Sequence, residues 1–147
     1  MQLIQRFWDD PYTPGDDFEP GTYLLNEPGV PAGEVQEGDI ALVEVSYSAG
    51  VFKVRPALIL RRLPVYDDFL VCGISSNQQQ YIHDFDELVE EGSEAFALTG
   101  LHRHSVIRLS ALAAFPANKI MRSIGSIPPQ LHKVLLQRLS EFFNPAD

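Results

Sequence analysis

From Gly38 onward the sequence is a succession of short apolar or alternating segments cut by tight turns, and this pattern limits the fold most. Residues 39–47 (DIALVEVSY) alternate, which sets Ala41, Val43, Val45 and Tyr47 on one face of a strand. Ser48-Ala49-Gly50 supplies a turn, and a second strand follows from about Val54 to Arg61. A turn at residues 64–68 leads to a third strand, Phe69 to Ile74, which the polar run Ser75 to Gln80 ends. The acid-rich stretch Asp84 to Glu94 reads as a strand followed by a short helical turn, with no boundary between them. Ser105–Leu109 and Lys119–Ile124 are two further strands. Such short strands joined by tight turns predict a mainly β protein built on a small twisted barrel. Pro128-Pro129 then suits a first helical turn, and Leu131, Val134, Leu135, Leu139 and Phe142 recur at helical spacing. An amphipathic helix over about 129–143 should therefore close one side of the barrel, its stripe serving as core rather than as a ligand site.

Ahead of this body lies a segment of different texture. Prolines and glycines at 11, 14, 15, 20, 21, 28, 29, 31 and 33 exclude long helices there and keep strands short. Residues 1–37 carry eight acids against Arg6 alone, a net −7, so the total of −9 leaves the remaining residues almost balanced. The chain thus divides into an acidic arm, 1–37, and a body, 38–147. An overall charge of this sign argues against nucleic acid as a partner, but its confinement to the arm removes that objection. Trp8, Tyr12, Phe18 and Tyr23 lie among the arm's acids, a composition expected to pack on the chain's own domain. No apolar run approaches a membrane span, and the N-terminus lacks a basic start followed by an apolar core. Cys72 is alone within FLVCGI, reads as a buried inert thiol, and with no disulfide partner points to a cytoplasmic protein.

The stretch Lys53 to Leu60, KVRPALIL, sets a basic and rigid group at the mouth of an apolar strand. Proline has no amide hydrogen to offer a ladder, so Pro56 is expected to start this strand. It also biases Arg55 toward an extended backbone, which aims a guanidinium from a fixed point.

Five segments now occur in order: Gly38-Asp39-Ile40, Lys53-x-Arg55-Pro56-Ala57-Leu58-Ile59-Leu60, Gly73-Ile74-Ser75-Ser76, Ser105-Val106-Ile107-Arg108-Leu109, and Ile124-Gly125 before the helix. Over about residues 38–143 the chain resembles the PemK/MazF-like family of toxin-antitoxin ribonucleases. The resemblance implies an SH3-like barrel with a C-terminal helix, usually a homodimer, that cleaves single-stranded RNA without a metal or other cofactor. It implies a cognate antitoxin as a second partner.

Residue by residue, the resemblance makes Arg55 the group that binds the scissile phosphate and stabilises charge or donates a proton to the leaving oxygen. A planar, permanently charged fork suits phosphate oxygens. Ser75 stands where the family has a threonine, as a hydroxyl donor to the phosphate, and Arg108 matches the family's later arginine. Some members carry an aspartate two residues after that arginine; here the position is Ser110. Lys53, Ser76, Arg61 and Arg62 are further RNA-binding candidates. RNA cleavage also needs a base on the 2′-hydroxyl, and Glu44, His102 and His104 are the candidates. The two histidines flank Arg103 in a loop with no cysteine or carboxylate at ligand spacing, so zinc is not expected.

Three functions follow for testing: an mRNA-interferase-type endoribonuclease, a catalytically silent PemK-like module that binds RNA or protein, and an interaction domain regulated by its own arm. In the last, residues 1–34 dock on the barrel, their carboxylates meeting Arg55, Arg61 and Arg62.

Overall fold

The computed structural model describes residues 30–31, 35–48 and 50–146. The arm's proposed contacts involve residues 1–29 and 32–34, and they lie outside this set, as does the side chain of Tyr47. Seven strands form one antiparallel sheet: β1 (Val30–Pro31), β2 (Asp39–Ser48), β3 (Val51–Leu63), β4 (Asp68–Ser75), β5 (Glu87–Val89), β6 (Ser105–Phe115) and β7 (Ile120–Ser126). Their order across the sheet is β1-β7-β2-β3-β4-β6-β5. Among the described residues there are two α-helices, α1 (Glu94–Thr99) and α2 (Pro129–Phe143). The architecture is the mainly β one expected, a curled sheet of half-barrel form with the helix at its C-terminus.

Curling buries both faces. On one face Ile40, Leu42, Leu58, Leu60, Cys72, Ile74, Ile107 and Leu109 pack with Leu135 and Leu139 of α2. On the other, Ala41, Val43, Val45, Ala57, Ile59, Phe69, Val71, Ala111, Phe115 and Ile120 pack with Val35. Strands β2 to β4 therefore read as nearly continuous apolar runs, because each alternate residue enters a different core. Register shifts in β2/β7, β3/β4 and β4/β6 supply the local bends that roll the sheet.

Several expectations need adjustment. Pro56 does not start its strand; β3 begins five residues earlier at Val51. Pro56 pairs Leu42 of β2, while the β3–β4 ladder begins one residue on at Ala57, so the missing amide hydrogen falls where that second ladder has ended. Strand β6 continues to Phe115, well past Leu109. The ambiguous 84–94 stretch resolves into β5 and, after a turn, α1, which Ser93 caps through a bond from the Phe96 amide (3.1 Å). Within α2, Leu135 and Leu139 are buried, whereas Val134 and Phe142 face solvent, Phe142 meeting Phe85 ring to ring (5.3 Å).

The Ile124-Gly125 pair has a steric reason. A Cβ on Gly125 would collide with the backbone of Leu98 and Thr99, and one on Gly100, at φ 74°, with the carbonyl of Ile124. The end of α1 is packed backbone to backbone against β7.

Candidate functional site

Three side chains singled out from sequence come to one face of the sheet. On β3, Ala57, Ile59 and hence Arg55 point to the Val35 side, since alternate residues share a face. Ala57 pairs Gly73 at the end of the β3–β4 ladder, and Arg55 and Ser75 each lie two residues beyond that pair on their own strands. Ser75 in turn pairs Val106, and Gly73 pairs Arg108. With strands about 4.8 Å apart and a rise of about 3.4 Å per residue, the Cα atoms of Arg55 and Arg108 are about 12 Å apart.

All three are buried: Arg55 is 3%, Ser75 1% and Arg108 9% exposed. The Nε of Arg108 has no hydrogen-bond partner, and among the described residues no carboxylate forms an ion pair with it. A buried N–H left without an acceptor costs about 1–3 kcal/mol. Such a group needs an explanation, and an anionic ligand is the simplest. Ser75 is held by a local bond: its Oγ accepts the Asn77 amide at 3.0 Å, which engages a lone pair and keeps the O–H as a donor. Asn77 also caps the 3-10 turn Gln78–Gln80 through its Oδ1 to the Gln79 amide (2.9 Å). Sequence reasoning passed over Asn77; an Asn placed just after a strand end and before a polar run is a usable signal for such a turn.

The remaining candidates divide by position. Lys53 pairs Val45 and lies on the Arg55 face, one alternate residue toward the hairpin tip, and Ser76 is buried beside Ser75. Arg61 and Arg62 are elsewhere. They lie about 20 Å down β3 from Arg55. An extra residue at Leu60 turns Arg61 to the α2 face, level with Leu70. There it donates to Glu37 (3.0 Å), while Arg62 stacks 4.7 Å over the Phe69 ring and donates its amide to the same Glu37 carboxylate (2.8 Å). The Arg62 amide bond, with Arg61 beside it, holds the Glu37 carboxyl below the usual carboxylate range. Glu44 belongs to the alternation of Ile40 and Leu42, on the α2 face, and its carboxylate meets Lys119 (3.4 Å). His102 is exposed in the loop, whereas His104 is half-buried two residues before Val106, the partner of Ser75. Of the three base candidates, His104 is at the end of the sheet where Ser75 lies.

Asp86 does not pair with Arg108. Its carboxylate, 2% exposed, instead accepts the Ser110 amide (3.1 Å), the Ser110 hydroxyl (3.2 Å) and the Ile82 amide (3.0 Å). Cys72 is fully buried; burial first, and the nearby Asp86 second, push its thiol far up, consistent with an inert core residue. Among the described residues no cluster of His, Cys, Asp or Glu is arranged to hold a metal ion, and no helix is long and apolar enough to cross a membrane.

Fold and candidate site together define a small curled-sheet protein with Arg55, Ser75 and Arg108 buried on one face of its central strands. Residues 36–143 match the family model described as PemK-like, MazF-like toxin of type II toxin-antitoxin system, and the chain belongs to that family. In fold it is similar to the Mycobacterium tuberculosis toxin MazF-mt6, with a TM-score of 0.52 at 19% identity, over 74% of this chain and 99% of that one. No curated protein matches the sequence.

Proposed function

We propose that the protein is an mRNA-interferase-type endoribonuclease that cleaves single-stranded RNA without a metal, acts in the cytoplasm as a homodimer, and is held in check by a cognate antitoxin. The observation that carries this reading is the buried guanidinium of Arg108, lacking a partner at Nε, on the same face as Arg55 and Ser75. A phosphodiester supplies what that face wants: two non-bridging oxygens for two forks and a hydroxyl.

In this reaction His104 removes the proton of the RNA 2′-hydroxyl, and the 2′-oxygen attacks phosphorus. The bond to the 5′-oxygen breaks, leaving a 2′,3′-cyclic phosphate and a 5′-oxygen that takes a proton from solvent, while the proton on His104 returns to solvent. Arg55, Arg108 and Ser75 stabilise the charge that grows on the phosphate oxygens, in a setting where preorganised donors act most strongly. No protein nucleophile is required, because RNA carries its own.

The test is cleavage of a mixed-sequence single-stranded RNA in EDTA. Products ending in 2′,3′-cyclic phosphate and 5′-hydroxyl are expected, with loss of cleavage on substituting a 2′-deoxynucleotide at the cut site. Retained binding with no cleavage would identify a silent RNA-binding member instead.

A further inference from the structure

We propose that Asp86 is the positioning residue for Arg108: it clamps a bulge in β6 that turns the arginine to the face of Arg55 and Ser75. The inference rests on the reading of that face as the RNA phosphate site.

The register shows why a bulge is needed. Leu112 of β6 pairs Cys72 of β4, yet the next residue of β4, Gly73, pairs Arg108. Leu109, Ser110 and Ala111 are therefore extra residues in β6 with no partner in β4. Three is an odd number, and an odd insertion exchanges the two faces of a strand. Below it Leu112 faces the α2 core and Ala111 and Ala113 the other; above it Ile107 and Leu109 face the α2 core, and Arg108 the other. Were β6 regular from Leu112 upward, Ala111 would meet Gly73 and Leu109 would meet Ser75. An aliphatic side chain would then stand beside Ser75 on the arginine face, and the guanidinium would leave the site altogether.

A three-residue bulge exposes backbone groups that the ladder no longer serves. Asp86 satisfies one of them, the Ser110 amide, and binds the Ser110 hydroxyl with its second oxygen. It lies level with the site, because it directly precedes β5, whose Glu87 pairs Ile107. Its segment is in turn tied to α2: Arg138 donates to the carbonyls of Phe85 (3.3 Å) and Asp86 (3.2 Å) and pairs with Glu87 (2.9 Å). With its oxygens bonded to Ser110 and Ile82, Asp86 makes no direct ion pair with Arg108.

The test couples Asp86 to Arg108 rather than asking only whether Asp86 matters. Asp86→Ala and Ser110→Ala are each combined with Arg108→Ala and, separately, with Arg55→Ala, and RNA cleavage is measured per folded molecule. Asp86→Ala should lower kcat at least tenfold with a smaller change in KM, and Asp86→Asn should recover part of the loss. Added to Arg108→Ala, it should lower cleavage less than threefold further; added to Arg55→Ala, it should retain its own effect. Effects that multiply equally in both pairs would overturn the inference. If Asp86→Ala fails to fold, Asp86→Asn and Ser110→Ala carry the same comparison. Independently of activity, the Arg108 Nε–H resonance in 15N-labelled protein should shift and exchange faster in Asp86→Asn and Ser110→Ala; an unchanged resonance overturns the placement. Wild-type protein that cuts no RNA while this resonance responds would remove the ribonuclease reading and leave the clamp standing.

Discussion

Gly73 faces Arg108 across the β4–β6 ladder, so the residue beside the arginine in the row that leads to Ala57 of β3 has no side chain of its own. The arginine lies over the sheet, 9% exposed, with no partner at Nε. On the proposed reading, that state costs stability and is kept for an RNA phosphate. Arg108→Met should therefore raise the unfolding free energy, by about 1–4 kcal/mol on the precedent of buried charges replaced by apolar residues. RNA binding and cleavage should fall at the same time. Paired thermal unfolding and cleavage measurements check this; a variant less stable than wild type would mean that the guanidinium has a structural partner.

Arg55→Ala should cost at least tenfold in cleavage, since one charge-assisted hydrogen bond is worth about 1.5–3 kcal/mol. Ser75→Ala should be milder, because a neutral hydroxyl gives about 0.5–1.5 kcal/mol and leaves both arginines in place. Arg61→Ala should leave cleavage within about twofold, being at the far end of β3 and engaged by Glu37. Rates at saturating RNA decide among these. Equal losses at 55 and 61 would move the site along the strand.

His104→Ala should lower kcat about a hundredfold, in the range usual for a lost general base, and free imidazole should restore part of it. His102→Ala and Glu44→Gln should not, the first being exposed in the loop and the second paired with Lys119 on the α2 face. A large loss from Glu44→Gln, with His104→Ala fully active, would transfer the role to the carboxylate.

Much of this was legible in the sequence because it depends on local pattern. Turn residues bounded the strands, and the helix began where Pro128-Pro129 placed it. That Arg55 and Ser75 belong to neighbouring strands follows from two segments joined by a short turn, whereas their convergence does not follow from the sequence. What stayed hidden depends on register. SVIRLSALAAF is apolar along most of its length, so nothing in it marks the three residues that pass out of the ladder. The same holds for the extra Leu60, which turns Arg61 away from the face that Arg55 occupies. The contact of Asp86 with Ser110 depends on the β6 bulge. The exposure of Val134 and Phe142 was likewise hidden, because a helical stripe shows which residues share a side and not how wide the groove beneath them is.

Gly125→Ala tests the packing of α1 on β7. The added methyl would lie inside the contact distance of the Thr99 backbone, which has no side-chain freedom with which to yield. Overpacking of this kind costs about 1–3 kcal/mol, and more where backbone must shift. The loss should appear as a lower unfolding midpoint with cleavage retained per folded molecule, because α1 lies outside the Arg55 face. An unaltered midpoint would show that the helix end moves freely from the strand.

The last expectation concerns charge in the arm. Residues 1–29 contain six acids and Arg6, a net −5 next to a body near neutrality. RNA approaching the arginine face does so in the field of the entire chain, and binding to phosphates is steered and weakened by like charge at distances set by salt. A chain starting at Gly29 keeps β1 on β7 and Val35 in its core, so its fold should survive. It should bind single-stranded RNA more tightly than the full chain, and the difference should shrink as ionic strength rises and the screening length falls below about 8 Å. A full-length variant with Asp9, Asp10, Asp16 and Asp17 all changed to Asn separates charge from bulk. If it matches the shortened chain, repulsion is the cause. If it matches wild type while the shortened chain binds more tightly, the arm excludes RNA by occupying space; equal affinity in all three would show that the arm has no bearing on RNA.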